Sequence, residues 1–299
     1  IGDQRVEEDF SLGQRITQQG WNKRPYYLIN KILQNDPSLE HCYVREYFPN
    51  LEQGSPLAIY HFDTTFREAL PFDVSCFARR LNEKVTDISK CRIEKIVLSM
   101  GGNGLRLNPQ DQYRGRVFVM SNYNAGDPKG RRYATFDFED VPESVWVDPE
   151  LTVQRFVSSK KTHDMPFNVM TRYLYFLGEI VYCTFMSQKD LIKRDTSVWN
   201  YWRDLRDLER DLHCLEKVCL NEKQINYREL SPQERLYQQT IDEFCQLFDL
   251  DFGSIDTIVD QEGNFFILDV NSTPWERGIP NDFIDVLNKR LNEEIQHAT

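Results

Sequence analysis

Two carboxylates and a carboxamide, Asp256, Asp269 and Asn271, lie inside one otherwise apolar stretch, FGSIDTIVDQEGNFFILDVNSTPW, residues 252–275. Asp260–Gly263 supplies turn chemistry between two apolar runs, which predicts a β-hairpin. A four-residue loop closed by Val259 and Asn264 sets Asp256 opposite Ile267. Cross-strand partners share a face, and so do residues two apart on a strand. Asp256, Asp269 and Asn271 then converge on one side, whereas a slip of one residue would turn Asp256 away. Three oxygen donors on one face suit a hard cation. Magnesium takes one or two carboxylates and completes its shell with phosphate oxygens and water. Without such a partner the carboxylates would repel and lose solvation. The spacing is met equally well if Asp269 caps a turn, Asn271 holds the NSTP loop and Asp256 faces water.

Other chemistries find less support. The seven cysteines (Cys42, Cys76, Cys91, Cys183, Cys214, Cys219, Cys245) are scattered, with no CxxC pair, and there are five histidines. This pattern predicts reduced thiols in a cytoplasmic protein rather than a zinc site. No Ser-His-Asp or Cys-His set stands out, and His163, Lys160 and Lys161 read as a solvated loop. The formal charge of −11 counts against nucleic acid or an anionic membrane as the main partner. No apolar run reaches the roughly 18 residues of a membrane span, and IGDQRVEEDF at the start lacks an apolar signal core.

The surrounding elements must position the acidic hairpin. A short helix is expected within GWNKRPYYLINKILQND, with Tyr27, Ile29, Ile32 and Leu33 inward. Strands are expected at HCYVREYF and PLAIYHF, and a turn at Asn82–Glu83 precedes the segment ending IEKIVLS. The Gly- and Asn-rich MGGNGLRLNP marks a boundary near residue 105. Val117–Met120 and LTVQRFV read as strands, and TRYLYFLGEIVYCTFM as two strands around Gly178. Apolar steps of three and four at Val198, Trp202, Leu205, Leu208, Leu212, Leu215 and Val218 predict an amphipathic helix. Ser231-Pro232-Gln233-Glu234 opens another helix, with Leu236, Ile241, Phe244 and Leu247 as its buried stripe. A last helix is expected over about Asp282–Glu294. This element order predicts an α+β protein with largely antiparallel sheets.

The same C-terminal run resembles the metal-binding motif of the ATP-grasp superfamily. That motif has an acidic residue on one strand, a turn with Gly, then an apolar strand ending in Glu/Asp-Val-Asn with a Pro soon after; here these are Asp256, Gly263, Asp269-Val270-Asn271 and Pro274. The resemblance continues upstream in order. VFVMSNYNAGDPKGRR matches the strand and glycine-rich loop that cover nucleotide phosphates, and VQRFV the strand leading to the hinge. Arg172 matches a basic residue facing the phosphates, and Lys193 or Arg194 would supply a second charge. The chain departs from the family at Met120, where a phosphate-binding lysine usually sits, and its loop is poorer in glycine. Lys129, Arg131 or Arg116 would have to reach inward instead.

The resemblance implies an ATP-grasp fold over residues 106–299, preceded by a smaller lobe over residues 1–105. It implies ATP contacts from Met120, Asn124, Gly126, Lys129, Gln154, Arg155, Phe156 and Val157, and magnesium on Asp256, Asp269 and Asn271. The implied chemistry is activation of a small-molecule or peptide carboxylate as an acylphosphate, for attack by an amine or thiol. Arg172 and Lys193 would be the catalytic cations. Arg45, His61, Asp63, Arg67 and Arg106 would border the acceptor pocket, and Trp275 would pack across the acceptor side or in the core. A small-molecule kinase and a nucleotide-binding scaffold share the same nucleotide half. Oligomeric state is left open.

Overall fold

Alternating apolar residues in the second half of the chain build a five-stranded antiparallel sheet in the computed structural model. The structure describes residues 28–35, 57–61, 65–67, 75, 77–123, 134–159, 168–188, 213–219, 232–274 and 281–298. In chain order the elements are α1 (Leu28–Asn35), β1 (Leu57–Ile59), β2 (Arg79–Leu81), α2 (Lys90–Ser99), β3 (Arg116–Ser121), β4 (Ala134–Asp137), α3 (Glu143–Trp146) and β5 (Leu151–Arg155). They continue with β6 (Asn168–Phe176), β7 (Glu179–Gln188), β8 (His213–Cys219), α4 (Pro232–Phe248), β9 (Phe252–Val259), β10 (Phe265–Asn271) and α5 (Asn281–Ala298). The mixture is α+β, as the element order predicts.

The large sheet runs β10-β9-β6-β7-β8, a second of three strands runs β4-β3-β5, and β1 pairs with β2 in parallel. Side chains alternate across the large sheet, so each face needs its own cover. On one face α2 and α4 bury Ile93, Val97, Ile241, Phe244 and Phe248 against Tyr173, Tyr175, Ile255 and Val270. On the other, α1 and α5 bury Leu28, Ile32, Ile284, Leu287 and Leu291 against Leu174, Phe176 and Phe252. Residues before and after position 105 therefore share one core. The small sheet keeps a separate core of Leu107, Val117, Val119, Val141 and Val153.

Several local details are set by single residues. β6 and β7 join through Leu177 and Gly178, both at positive φ (53° and 87°), the geometry of a type I′ hairpin turn. Glu94 on α2 accepts the N–H groups of Leu105 and Arg106, which folds the MGGNGLR loop back on the helix. Arg92 donates to the Phe248 carbonyl and stacks over the Phe248 ring, so a cation meets the C-terminal end of α4.

Two expectations are corrected. The helix read over 198–218 does not reach its predicted end: His213–Cys219 is a strand on the outer edge of β7. Leu212, Leu215 and Val218 repeat at helical spacing, but β7 offers an open row of backbone groups, and that pairing wins locally. Residues 198–212 lie outside the described ones. On α4, Ile241 and Phe244 are buried as expected, yet Leu236 and Leu247 are 53% and 50% exposed. The buried arc is Ile241, Phe244, Cys245 and Phe248, and Leu236 and Leu247 sit on the opposite side of the helix. The HCYVREYF strand and the Ser231 cap also fall outside the described residues.

Asp242 on α4 carries an uncompensated charge. Its carboxylate takes the Ile180 N–H, while its Oδ1 is buried without a hydrogen-bond partner among the described residues. Burial raises its pKa, and Glu179 adds to the rise. A raised folded-state value means the native protein binds this proton more tightly than the unfolded chain. The penalty is therefore fully present at neutral pH and is relieved as pH falls through the folded value. Asp242→Asn is expected to gain about 1 kcal/mol in urea unfolding at pH 7. Repeated at a pH below the ordinary carboxylate range, the same measurement should show the gain gone.

Candidate functional site

The acidic hairpin forms, but not in the predicted register. Val259 pairs with Phe265, not Asn264, because Asp260 ties a longer loop: its Oδ1 accepts the N–H groups of Glu262 and Asn264, and its Oδ2 accepts Asn264 Nδ2. Thr257, not Asp256, lies opposite Ile267. Continued unchanged, this register would set Asp256 against Leu268 and send Asp269 to the reverse face. A β-bulge between Ile267 and Asp269 restores the phase. Leu268 has no ladder partner, Asp269 pairs with Asp256, and Asn271 pairs with Ser254. Asp256, Asp269 and Asn271 thus share one face, by a shift and a bulge that cancel.

Two cations meet this pair. Arg172, opposite Asp256 on β6, grips it with a two-pronged fork, Nε to Oδ1 at 2.6 Å and Nη2 to Oδ2 at 2.7 Å. Such paired, charge-assisted bonds are the strong class. Lys90, at the start of α2, reaches from beside β10. Its Nζ donates to Asp269 Oδ1 at 2.7 Å and to the Leu268 carbonyl at 3.0 Å, the residue the bulge leaves outside the ladder. Asp269 is crowded by protein yet 38% exposed along its side chain. Burial raises its pKa, Lys90 opposes that, and the neighbouring Asp256 adds to it. Asn271 turns its Oδ1 to the N–H and hydroxyl of Thr273, which shapes the loop leading to Pro274.

Lys90 is the residue sequence reasoning missed, and a signal for it existed. A cation at a helix N-terminus opposes the macrodipole, and the first turn of α2 holds no acidic residue to offset it. A local rule broken at a helix start is a pointer to function. Ser89 caps the helix by accepting the Arg92 N–H. Asn122, just after β3, accepts the Lys90 N–H with its backbone carbonyl and the Cys91 N–H with its side chain. The base of the predicted phosphate loop is thereby tied to the helix that carries Lys90.

The other predicted nucleotide residues are spread along the small sheet. Met120 is half-buried on β3 opposite Thr152, and Gln154 is buried on β5, bridged to Arg106. The Arg155 and Phe156 N–H groups are taken by the Leu105 and Arg116 carbonyls, and the Phe156 ring stacks on Phe118. Val157 packs with Leu105, Ile258, Phe266 and Leu268, an apolar patch on the same face as the acidic pair. Asn124, Gly126, Lys129, Arg131 and Lys193 lie outside the described residues, as do Arg194, Arg45, Asp63 and Trp275. Arg116 opens β3, paired with Asp137 at the end of the strand away from Ser121 and Asn122.

Of the predicted acceptor-side residues, Arg67 lies over the Tyr60 ring and donates to the Asn82 and Glu83 carbonyls. It lines a small cavity with Tyr60, Thr65, Thr86 and Ser272, the residue following Asn271. Burial pushes the His61 imidazole down to about 4, which keeps it neutral at physiological pH. Arg106 is drawn to Cys91 Sγ.

The donor set fits magnesium in part from the protein and in part from a ligand. Among the described residues no group of three or more His, Cys, Asp or Glu could hold a metal. Two carboxylates match an ion that keeps waters and takes phosphate oxygens, whereas Asn271 Oδ1 already accepts the Thr273 N–H and hydroxyl. Each oxygen of Asp256 retains a lone pair beyond its Arg172 bond, and Asp269 keeps an exposed side.

No family model matches the sequence, and no curated protein matches it. Solved structures do align with it. Over 69% of this chain and 61% of the other it matches the ATP-grasp ligase PsnB complexed with a minimal precursor, at 13% identity and TM-score 0.44. The D-alanine–D-alanine ligase of Bacillus anthracis aligns over 70% of this chain and 66% of that one, at 10% identity and TM-score 0.40. A RiPP-associated ATP-grasp ligase of Chryseobacterium gregarium, in complex with ADP and a leader and core peptide, aligns over 69% and 50%, at 12% identity and TM-score 0.34. The chain thus spans 61% of the length of the PsnB chain. The solved structures named above, to which this chain is similar, are two ATP-grasp ligases and a D-alanine–D-alanine ligase.

Proposed function

We infer that the chain is an ATP- and magnesium-dependent ligase that activates a carboxylate as an acylphosphate for attack by an amine or thiol. The observation that carries this reading is the cluster in which a β-bulge brings Asp269 beside Asp256 while Arg172 and Lys90 meet the pair. Two acids and two bases at one open point suit a polyanion bound with a dication better than they suit a hydrophobic core. Bound there, magnesium–ATP would supply the phosphoryl group and a Lewis acid to draw charge from it. Asp256 and Asp269 would hold the ion, joined by Asn271 once the Thr273 hydroxyl turns away from its Oδ1. Arg172 and Lys90 would steady phosphate oxygens, in place of the lysine that Met120 lacks. Phosphoryl transfer asks for positioning and charge neutralisation more than for a protein nucleophile, consistent with the absence of a recognisable nucleophile–base set. Acceptor groups would enter past Arg67, Tyr60 and Ser272.

Met120 and the internally paired carboxylates favour a second reading, a nucleotide-binding scaffold without turnover. Calorimetry with ATP, with and without magnesium, followed by an ADP-release assay over panels of carboxylates, amines, thiols and alcohols, separates the cases. The ligase reading expects magnesium-dependent binding and ADP release that needs a carboxylate together with an amine or thiol. ADP release with an alcohol alone would make the protein a kinase. Binding with no release over all panels would make it a scaffold, and no magnesium-dependent binding would end the nucleotide reading.

A further inference from the structure

Among the described residues, each charge of the acidic cluster has a protein partner, and this bears on the order in which metal and nucleotide arrive. Asp256 is 14% exposed along its side chain and held on both oxygens by Arg172. Asp269 is bonded to Lys90, whose own side chain is only 10% exposed. Among the described residues two acids and two bases balance, so these four side chains offer a bare dication no net negative charge. A magnesium ion gives up its waters reluctantly and would also have to approach an ammonium and a guanidinium. The usual metal-first picture of an acidic pocket does not suit this arrangement.

Lys90 is seated rather than simply nearby. Two of its three N–H donors are used, on Asp269 Oδ1 and on the Leu268 carbonyl. The third has no acceptor among the described residues. The Leu268 bond anchors the ammonium where the bulge exposes that carbonyl. The third donor would be available to an oxygen of an incoming anion. A polyphosphate would reverse the local balance, giving Lys90 and Arg172 new acceptors and leaving the carboxylates with negative charge to offer a metal.

We propose that Lys90 is a tethered counter-cation that closes Asp269 to free metal and makes metal entry conditional on nucleotide. This rests on the ligase-site reading above, and it adds a binding order and names the residue that enforces it. Lys90 acts through Asp269 and is a positioning residue in this role. Because it also caps the bulge, a purely structural role must be distinguished. Lys90→Gln keeps a donor for the Leu268 carbonyl while losing the charge, and Lys90→Arg keeps the charge.

The test titrates Mn2+ into the protein and follows free Mn2+ by electron paramagnetic resonance, with and without ADP. Binding at the cluster is scored as the part that Asp269→Asn removes. Wild type is expected to bind Mn2+ at least about tenfold more tightly with ADP than without. Lys90→Gln is expected to bind Mn2+ alone about tenfold more tightly than wild type, with the ADP enhancement reduced, and Lys90→Arg to behave like wild type. If ADP enhances Mn2+ binding in wild type but Lys90→Gln binds Mn2+ alone no better, the proposal fails and the site reading stands. Equal Mn2+ affinity in wild type with and without ADP overturns the proposal without any variant. If wild type binds neither Mn2+ with ADP nor ADP itself, the site reading fails and takes the proposal with it.

Discussion

Asn82→Ala is expected to lower unfolding free energy by about 4 kcal/mol, the largest stability loss foreseen for any single polar residue here. Asn82 is 1% exposed and follows β2 with φ of 58°. Its Nδ2 donates to the Phe252 carbonyl at 2.7 Å, and its Oδ1 accepts the Asp251 and Phe252 N–H groups at 2.8 and 3.0 Å. Its own N–H donates to Asp251 Oδ2 at 2.7 Å. The carboxamide therefore stands in for a neighbouring strand at the first residues of β9, the strand that carries Asp256. Alanine strands three backbone groups at a buried point, each costing about 1–3 kcal/mol. It also places a Cβ without polar compensation at left-handed backbone, worth about 1 kcal/mol more. Asn82→Gly removes only that last part and should recover about 1 kcal/mol of the loss. Urea midpoints of the three proteins check both figures. A loss under about 1 kcal/mol for alanine would mean that the clamp does not hold in solution.

The legibility of the fold and site differs residue by residue. The hairpin was legible because apolar alternation flanks Asp260–Gly263, and the β6–β7 hairpin because alternation breaks at Gly178. The register was not. Asp260 closes a longer loop with its own side chain, and Leu268 looks like one more apolar strand residue although it is the bulge. The shared face was inferred from a pairing the structure does not contain, and the conclusion survived because two one-residue errors have the same parity. The turn at Asn82 was legible, but not its clamp on β9, because a carboxamide's distant partners leave no local pattern. Lys90 was legible only as a charge on the wrong end of a helix. Helical spacing over 212–218 misled because an open sheet edge can outbid propensity, and Leu236 and Leu247 misled because periodicity does not say which arc of a helix the sheet covers.

Asp269→Asn is expected to abolish magnesium-dependent nucleotide binding and to lower any ADP release about a thousandfold, while leaving the fold intact. The substitution keeps the size and the acceptor oxygen and removes the charge. Stability should fall by about 1–2 kcal/mol: the Asp269 side of the pair is open to solvent, but the Lys90 side chain is only 10% exposed and its ammonium keeps just an amide oxygen and the Leu268 carbonyl. Lys90 retains the Leu268 carbonyl, so the bulge keeps its cap. The neighbouring alternatives are less clean. Asp256→Asn breaks one prong of the two-pronged bond to Arg172, since the amide nitrogen cannot accept from the guanidinium. Asn271→Ala frees the Thr273 N–H and hydroxyl and loosens the segment whose Pro274 carbonyl accepts the Leu28 N–H on α1. Asp269 combines an open face with a retained bulge, so a loss of function in a variant that still melts cooperatively above the assay temperature is a loss at the site. Melting curves alongside calorimetry decide the matter: an Asp269→Asn protein that melts in this way and still binds magnesium–ATP with wild-type affinity would remove the acidic pair from the site.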